Sequence, residues 1–207
     1  MKKIISALLL VGCIFAFASC NLLGGSQTPP VDNEGEKQTL ELIQTCIDDS
    51  APKRANISVL FSSEIGSLNG SYNVAYHTDG SATVEYSYEL FNTIDPSSGL
   101  IDPKSTYTGV VNVSADGELD SAINGVASVE ALAFDISLDE KKIATYTVET
   151  GILQATVKSK NTIDIIGVDI PYDITLNIRT ANGKVTAVVI TYETYSGTVE
   201  ITAAYHY

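Results

Sequence analysis

The sequence predicts a mainly β protein: an N-terminal helix followed by a large curved antiparallel sheet, a half-barrel or open barrel of about ten strands. Three observations carry this. From Asn56 onward apolar and polar residues alternate in run after run, as in strands with one dry and one wet face. The turn dipeptides Asp79-Gly80, Asp116-Gly117, Asn182-Gly183 and Ser196-Gly197 punctuate those runs. Before them, residues 36–50 carry apolar side chains at helical spacing.

In the helix, Leu40, Ile43 and Ile47 stand at i, i+3 and i+7 with Cys46 beside them, and only Leu42 falls off the stripe. Asn33 and Glu36 have the spacing of a capping pair, Glu34 and Glu36 suit the positive end of the dipole, and Pro52 ends the helix. Asp48-Asp49 meet an unfavourable dipole and read as solvated. Then Ile57, Val59, Phe61 and Ile65 alternate with Ser58, Ser62 and Glu64. Tyr72, Val74 and Tyr76 alternate with Asn73 and His77; Val84, Tyr86, Tyr88 and Leu90 alternate with Thr83, Glu85, Ser87 and Glu89. Further strands are predicted over 106–113, 143–150, 152–159, 162–168, 172–179, 184–193 and 198–207, rich in Thr, Val, Ile and Tyr. Residues 120–135 stand between helix and strand: Ile123, Val126, Val129 and Ala133 favour a short helix, and Gly125 opposes it. Short links predict that successive strands pair in meander order. So wide an antiparallel sheet must curl, close or fold on itself, and the helix is its natural cover.

Ahead of this body, Lys2 and Lys3 precede an apolar run over residues 4–17, too short for a membrane span of ~20 residues and suited to an export signal. The run ends on Phe17-Ala18-Ser19-Cys20, which resembles the lipobox of bacterial lipoproteins, with Phe17 where Leu is usual. Leu10-Val11-Gly12-Cys13 fits the same pattern, but leaves a short apolar core and exposes Ile14, Phe15 and Phe17 in the mature chain. Cys20 is therefore the reading, with a plain signal peptide cut near Ala18 as the alternative. The resemblance implies that 1–19 is removed and that Cys20 carries lipid, including an acyl group such as palmitate. Two or more chains give stable anchoring. Asn21 after the cysteine is not the Asp that favours inner-membrane retention, so the expectation is an exported, lipid-anchored envelope protein, in the outer membrane where the host has two. Residues 20–35, rich in Gly, Pro, Ser and Asn, read as a flexible tether with roughly 20 Å of mean reach. Residues 36–207 form a single domain.

Loss of the signal takes two lysines, leaving ten basic against 25 acidic residues and a net charge of −15, compared with −13 for the whole chain. Such a body repels nucleic acid and anionic lipid surfaces. Its membrane partner is reached through Cys20, and no nucleic-acid partner is expected. With Cys13 removed and Cys20 modified, Cys46 is the one thiol left, so no internal disulfide is expected. It reads as a small buried hydrophobe.

No nucleophile elbow, phosphate loop or HExxH motif is present, and no cofactor or metal is expected. His77 and His206 lack partners at metal-ligand spacing, and Asp79 reads as a turn residue. Asp164, Asp169 and Asp173 lie within ten residues but lack the spacing of a calcium loop. The long link between two predicted strands, residues 92–105, contains Leu100 and Ile101, which would be exposed unless they border a cavity mouth. Tyr86 and Tyr88 share a face with Val84 and Leu90 and are candidates for a cavity wall; core packing is the competing reading. The candidate ligand site is thus Tyr86, Tyr88, Leu100 and Ile101.

A leading helix before a many-stranded antiparallel sheet resembles the LolA/LolB lipoprotein carriers and their mycobacterial relatives. The resemblance lies in element order across 36–207, and no motif residue of those carriers is matched. It implies a half-barrel that holds acyl chains. The expected function is a non-enzymatic envelope lipoprotein binding a hydrophobic or amphiphilic ligand. The alternative is a structural or protein-interaction lipoprotein with no ligand. A membrane β-barrel ending on Val199, Ile201, Ala203, Tyr205 and Tyr207 ranks below both, because many strands lack a lipid-facing apolar side.

Overall fold

A computed structural model describes residues 34–63, 66–92, 104–116, 120 and 136–207. The chain runs through helix α1 (Glu34–Asp48) and strands β1 (Arg54–Ser63), β2 (Gly66–Tyr76), β3 (Ala82–Asn92) and β4 (Lys104–Val113). It continues with β5 (Ile143–Glu149), β6 (Ile152–Val157), a 3-10 turn (Ser159–Asn161), helix α2 (Thr162–Ile166), β7 (Ile174–Ala181), β8 (Lys184–Glu193) and β9 (Gly197–His206). Residues 1–33, with the signal, Cys20 and most of the tether, and Leu100, Ile101 and residues 121–135 lie outside the described residues; α1 begins at Glu34, inside the expected tether. No described helix is long and apolar enough to cross a membrane.

The nine strands of the described residues form one open antiparallel sheet in the order β4-β3-β2-β1-β9-β8-β7-β6-β5. Successive strands pair, as short links require, except at one place: β4 and β5 are the two edges. The first and last strands meet in the middle instead, Ile57 opposite Ala203 and Val59 opposite Ile201. A pure meander would have left β1 and β9 at the edges. Pairing them buries both apolar strands on two sides and sends the sheet's edges to the middle of the sequence.

The expected strand over 162–168 is a short helix. Ile165 and Ile166 are both fully buried, which alternation forbids in a strand with one wet face. Gly167 closes the helix at φ 73°, a left-handed conformation that glycine adopts without strain. Thr162, buried beside it, has its hydroxyl bonded to the Ile170 backbone. One predicted strand is therefore lost and nine remain.

Alternation sorts the two faces. The inner face holds Ile57, Tyr72, Val84, Leu153, Leu176 and Ile190, buried in one cluster with Leu40 and Ile43 of α1 and Ile165 and Ile166 of α2. The outer face is mostly polar, with Leu60, Val110 and Ile152 among the exposed apolar exceptions: Ser58, Ser71, Ser87 and Thr108 stand opposite one another across β1 to β4. α1 packs against β5 and β8, leaving Leu42 in solvent.

Candidate functional site

Three groups of tyrosines pack against the core among the described residues; one, Tyr172 stacked on Tyr192 at 5.8 Å, stands apart from the two that bear on a site. The first lies on β2, β3 and β4. Tyr86 and Tyr88 stack with centroids 6.1 Å apart, and Tyr88 stacks on Tyr107 at 4.9 Å. Glycines make room for these rings. A Cβ on Gly109, the cross-strand partner of Tyr86, would fall within 2.6 Å of the Tyr86 ring. One on Gly70 would lie 3.0 Å from the Tyr72 ring. Tyr72 and Tyr88 are fully buried. Burial raises both phenols to about 12; at Tyr88 the neighbouring Tyr107, Tyr86 and Tyr72 add to it. The Tyr72 hydroxyl is buried without a hydrogen-bond partner among the described residues. The structure thus brings Tyr86 and Tyr88 together, in a ring stack over glycine.

The second group lies at the end of the sheet beneath the C-terminus of α1. A cavity of about 300 Å³ opens there, at the lower bound of ordinary small-molecule sites. Its apolar walls are Ile47, Ala51, Pro52, Ile136, Val185 and Val188, and its polar lining is Ser50, Tyr76, His77, Ser81, Tyr205 and Tyr207. Neither Tyr86 nor Tyr88 lines it.

Local structure builds this cavity from several directions. Asn182 and Gly183, at φ 54° and 72°, make the tight primed turn that joins β7 to β8. Immediately after it the β7–β8 register slips between Arg179 and Thr180. This bulge lets Val185 and Val188, three residues apart, both turn inward. The Gln44 amide of α1 clamps the 136–138 segment: its Nε2 donates to Ile136 O at 3.3 Å, and its Oε1 accepts from Leu138 N–H at 2.7 Å. Ile136 is so held as a wall.

A clasp pins the helix end to the sheet. Ser50 Oγ donates to Cys46 O at 2.7 Å and accepts from Val185 N–H at 3.0 Å. Tyr207 Oη donates to Val185 O at 2.6 Å and lies 3.0 Å from Ser50 Oγ. The Lys184 ammonium sits 4.4 Å from the centre of the Tyr207 ring, a cation–π contact. Burial pushes the Tyr76 phenol to about 12. It pushes Tyr205 higher still, with Tyr76 and Tyr207 adding to the effect.

The remaining polar candidates disperse. The Asp79 carboxylate accepts from the Ser81 backbone and hydroxyl at 2.9 and 2.6 Å, which holds it below the usual carboxylate range and closes the β2–β3 turn. Asp164 pairs with Lys142 at 3.1 Å, and Asp173 with Lys158 at 2.8 Å. The Lys158 hydrogen bond lowers the Asp173 carboxyl. Among the described residues no group of three His, Cys, Asp or Glu could hold a metal.

Sequence reasoning missed the cavity. Its lining comes from both ends of the chain, and the inward turn of Val185 depends on a bulge. The available signal was Val185 and Val188 at a spacing of three, which breaks strict alternation.

No protein-family model matches the chain, and no curated protein matches its sequence. Among solved structures, the crystal structure of LprF from Mycobacterium bovis is similar with a TM-score of 0.37 and 13% identity, covering 81% of this chain and 92% of that one. A likeness at that level bears on neither ligand nor activity.

Proposed function

We propose that this chain is a non-enzymatic cell-envelope lipoprotein, tethered through lipid on Cys20, whose curled sheet holds a hydrophobic or amphiphilic ligand. The observation that carries the binding reading is the cavity beneath α1, walled by Ile47, Ile136, Val185 and Val188. Apolar walls with a few polar groups are what such ligands require. A half-barrel curl is supported by α1 packing against both β5 and β8, and by inner-face residues of all nine strands sharing one core cluster. The mostly polar outer face argues against a membrane barrel, which needs an outward apolar band.

Native mass spectrometry of the protein extracted from cells tests this. A bound lipid-sized mass is expected; a consistently empty protein contradicts it. Cys20→Ser is expected to release the domain in soluble form, and persistent membrane association would mean a second attachment. The second reading, a structural or interaction lipoprotein, draws on the close-packed stack of Tyr86, Tyr88 and Tyr107. It predicts no bound mass.

A further inference from the structure

Among the described residues the cavity lining carries no Asp, Glu, Lys or Arg. A charged group drawn into it would lose its hydration without gaining a counter-ion. An anionic head is further opposed by the chain's net charge of −13. For a cation, the lining offers tyrosine faces but no carboxylate, and the Tyr207 ring is already engaged by Lys184.

One polar group of the lining is left over. Ser50 and Tyr207 each donate to a backbone carbonyl, Cys46 O and Val185 O, and Ser81 is bound to Asp79. Tyr205 Oη has no hydrogen-bond partner among the described residues. Burial keeps this phenol protonated, hence a donor. Its neighbour across the β1–β9 ladder is the small Ala55.

His77 is not a second such group. Its Nε2 lies 3.0 Å from the Thr83 hydroxyl, which donates to Asn112 Oδ1 at 3.0 Å, while Asn112 Nδ2 donates to Asp120 at 2.7 Å. Thr83 and Asn112 stand between the inward Ala82 and Val84, and Val111 and Val113, so this chain of bonds holds the ring to the outer face. The lone donor of Tyr205 on an uncharged lining suits an uncharged oxygen acceptor, of which a hydroxyl is the smallest.

We propose that the cavity selects a single-chain amphiphile with an uncharged, hydroxyl-bearing head, a monoacylglycerol or long-chain alcohol, whose hydroxyl accepts from Tyr205. The volume of about 300 Å³ suits one chain rather than several. The proposal rests on reading the cavity as a ligand site.

The test is displacement of the fluorescent apolar probe N-phenyl-1-naphthylamine from the full chain carrying Cys20→Ser. The competitors are monolaurin, laurate and dodecyltrimethylammonium, each with a twelve-carbon chain, at neutral pH and below their micellar concentrations. Monolaurin is expected to bind at least about tenfold tighter than either ion. Tyr205→Phe should weaken it by about tenfold relative to the variant's own probe affinity, the order of one hydrogen bond to a desolvated group. Equal affinities for the three heads, tighter binding of either ion, or a silent Tyr205→Phe would overturn the head-group assignment while the cavity reading stands. Failure of the probe itself to bind would overturn both.

Discussion

The same residue type serves opposite ends in two regions of this sheet. On β2 to β4, Tyr72, Tyr86, Tyr88 and Tyr107 lie against one another and over glycine, and the space is filled. At the α1 end, Tyr76, Tyr205 and Tyr207 stand around a cavity. What differs is the partner. Gly70 and Gly109 admit a ring flat against the sheet; Tyr205 faces no glycine but Ala55 across the β1–β9 ladder, and the rings at this end stand beside a cavity. An aromatic on an inner face is thus a stabiliser or a wall according to what stands opposite it.

The largest test of this comparison strains both regions at once. Burial raises Tyr72, Tyr76, Tyr88 and Tyr192 to about 12, and Tyr205 higher. A folded pKa above the unfolded value of 10 gives stability that is complete below pH 10 and lost as pH rises through about 12. The sheet is expected to unfold cooperatively in that window, far-UV circular dichroism falling together with the rise of tyrosinate absorbance. Tyrosinate forming at these positions with the sheet intact would show that the rings are not held as described.

Next, Tyr88→Ala should cost about 3–5 kcal/mol in denaturant unfolding, as for other buried aromatics, and leave probe binding at the cavity unchanged. Gly109→Ala drives a methyl into the Tyr86 ring and should cost about 1–3 kcal/mol as overpacking. A neutral Gly109→Ala would mean that the stack is loose. The smallest effect belongs to the clasp. Tyr207→Phe removes the bond to Val185 O and should cost about 1 kcal/mol, with amide exchange accelerating at Val185 and in the last turn of α1 but not in β3.

Much of the sheet was legible because period two survives wherever one face is dry. Residues 184–193 coincide with β8, and 143–150 and 198–207 shift by one residue from β5 and β9. What failed was non-local. The short strand-like run at 162–168 is helical because its core contacts bury Ile165 and Ile166 together. The β1–β9 ladder joins residues some 150 apart, beyond what hairpin spacing can indicate. Tyr86 and Tyr88 were legible as inward-facing, yet whether they line a void or fill one depends on Gly70 and Gly109 in register on neighbouring strands. The closing run from Val199 to Tyr207 was legible as alternating, but its role at the cavity requires Ile47 and Ile136 to arrive from elsewhere.

The central claim is that ligand enters the α1 end and not the tyrosine-packed half. Methyl-resolved NMR during titration with N-phenyl-1-naphthylamine tests it most directly. Saturable shifts are expected at Ile47, Val185 and Val188, with Val84 and Val111 beside the ring stack unmoved. Shifts confined to Val84 and Val111, or none at any of the five, would contradict it.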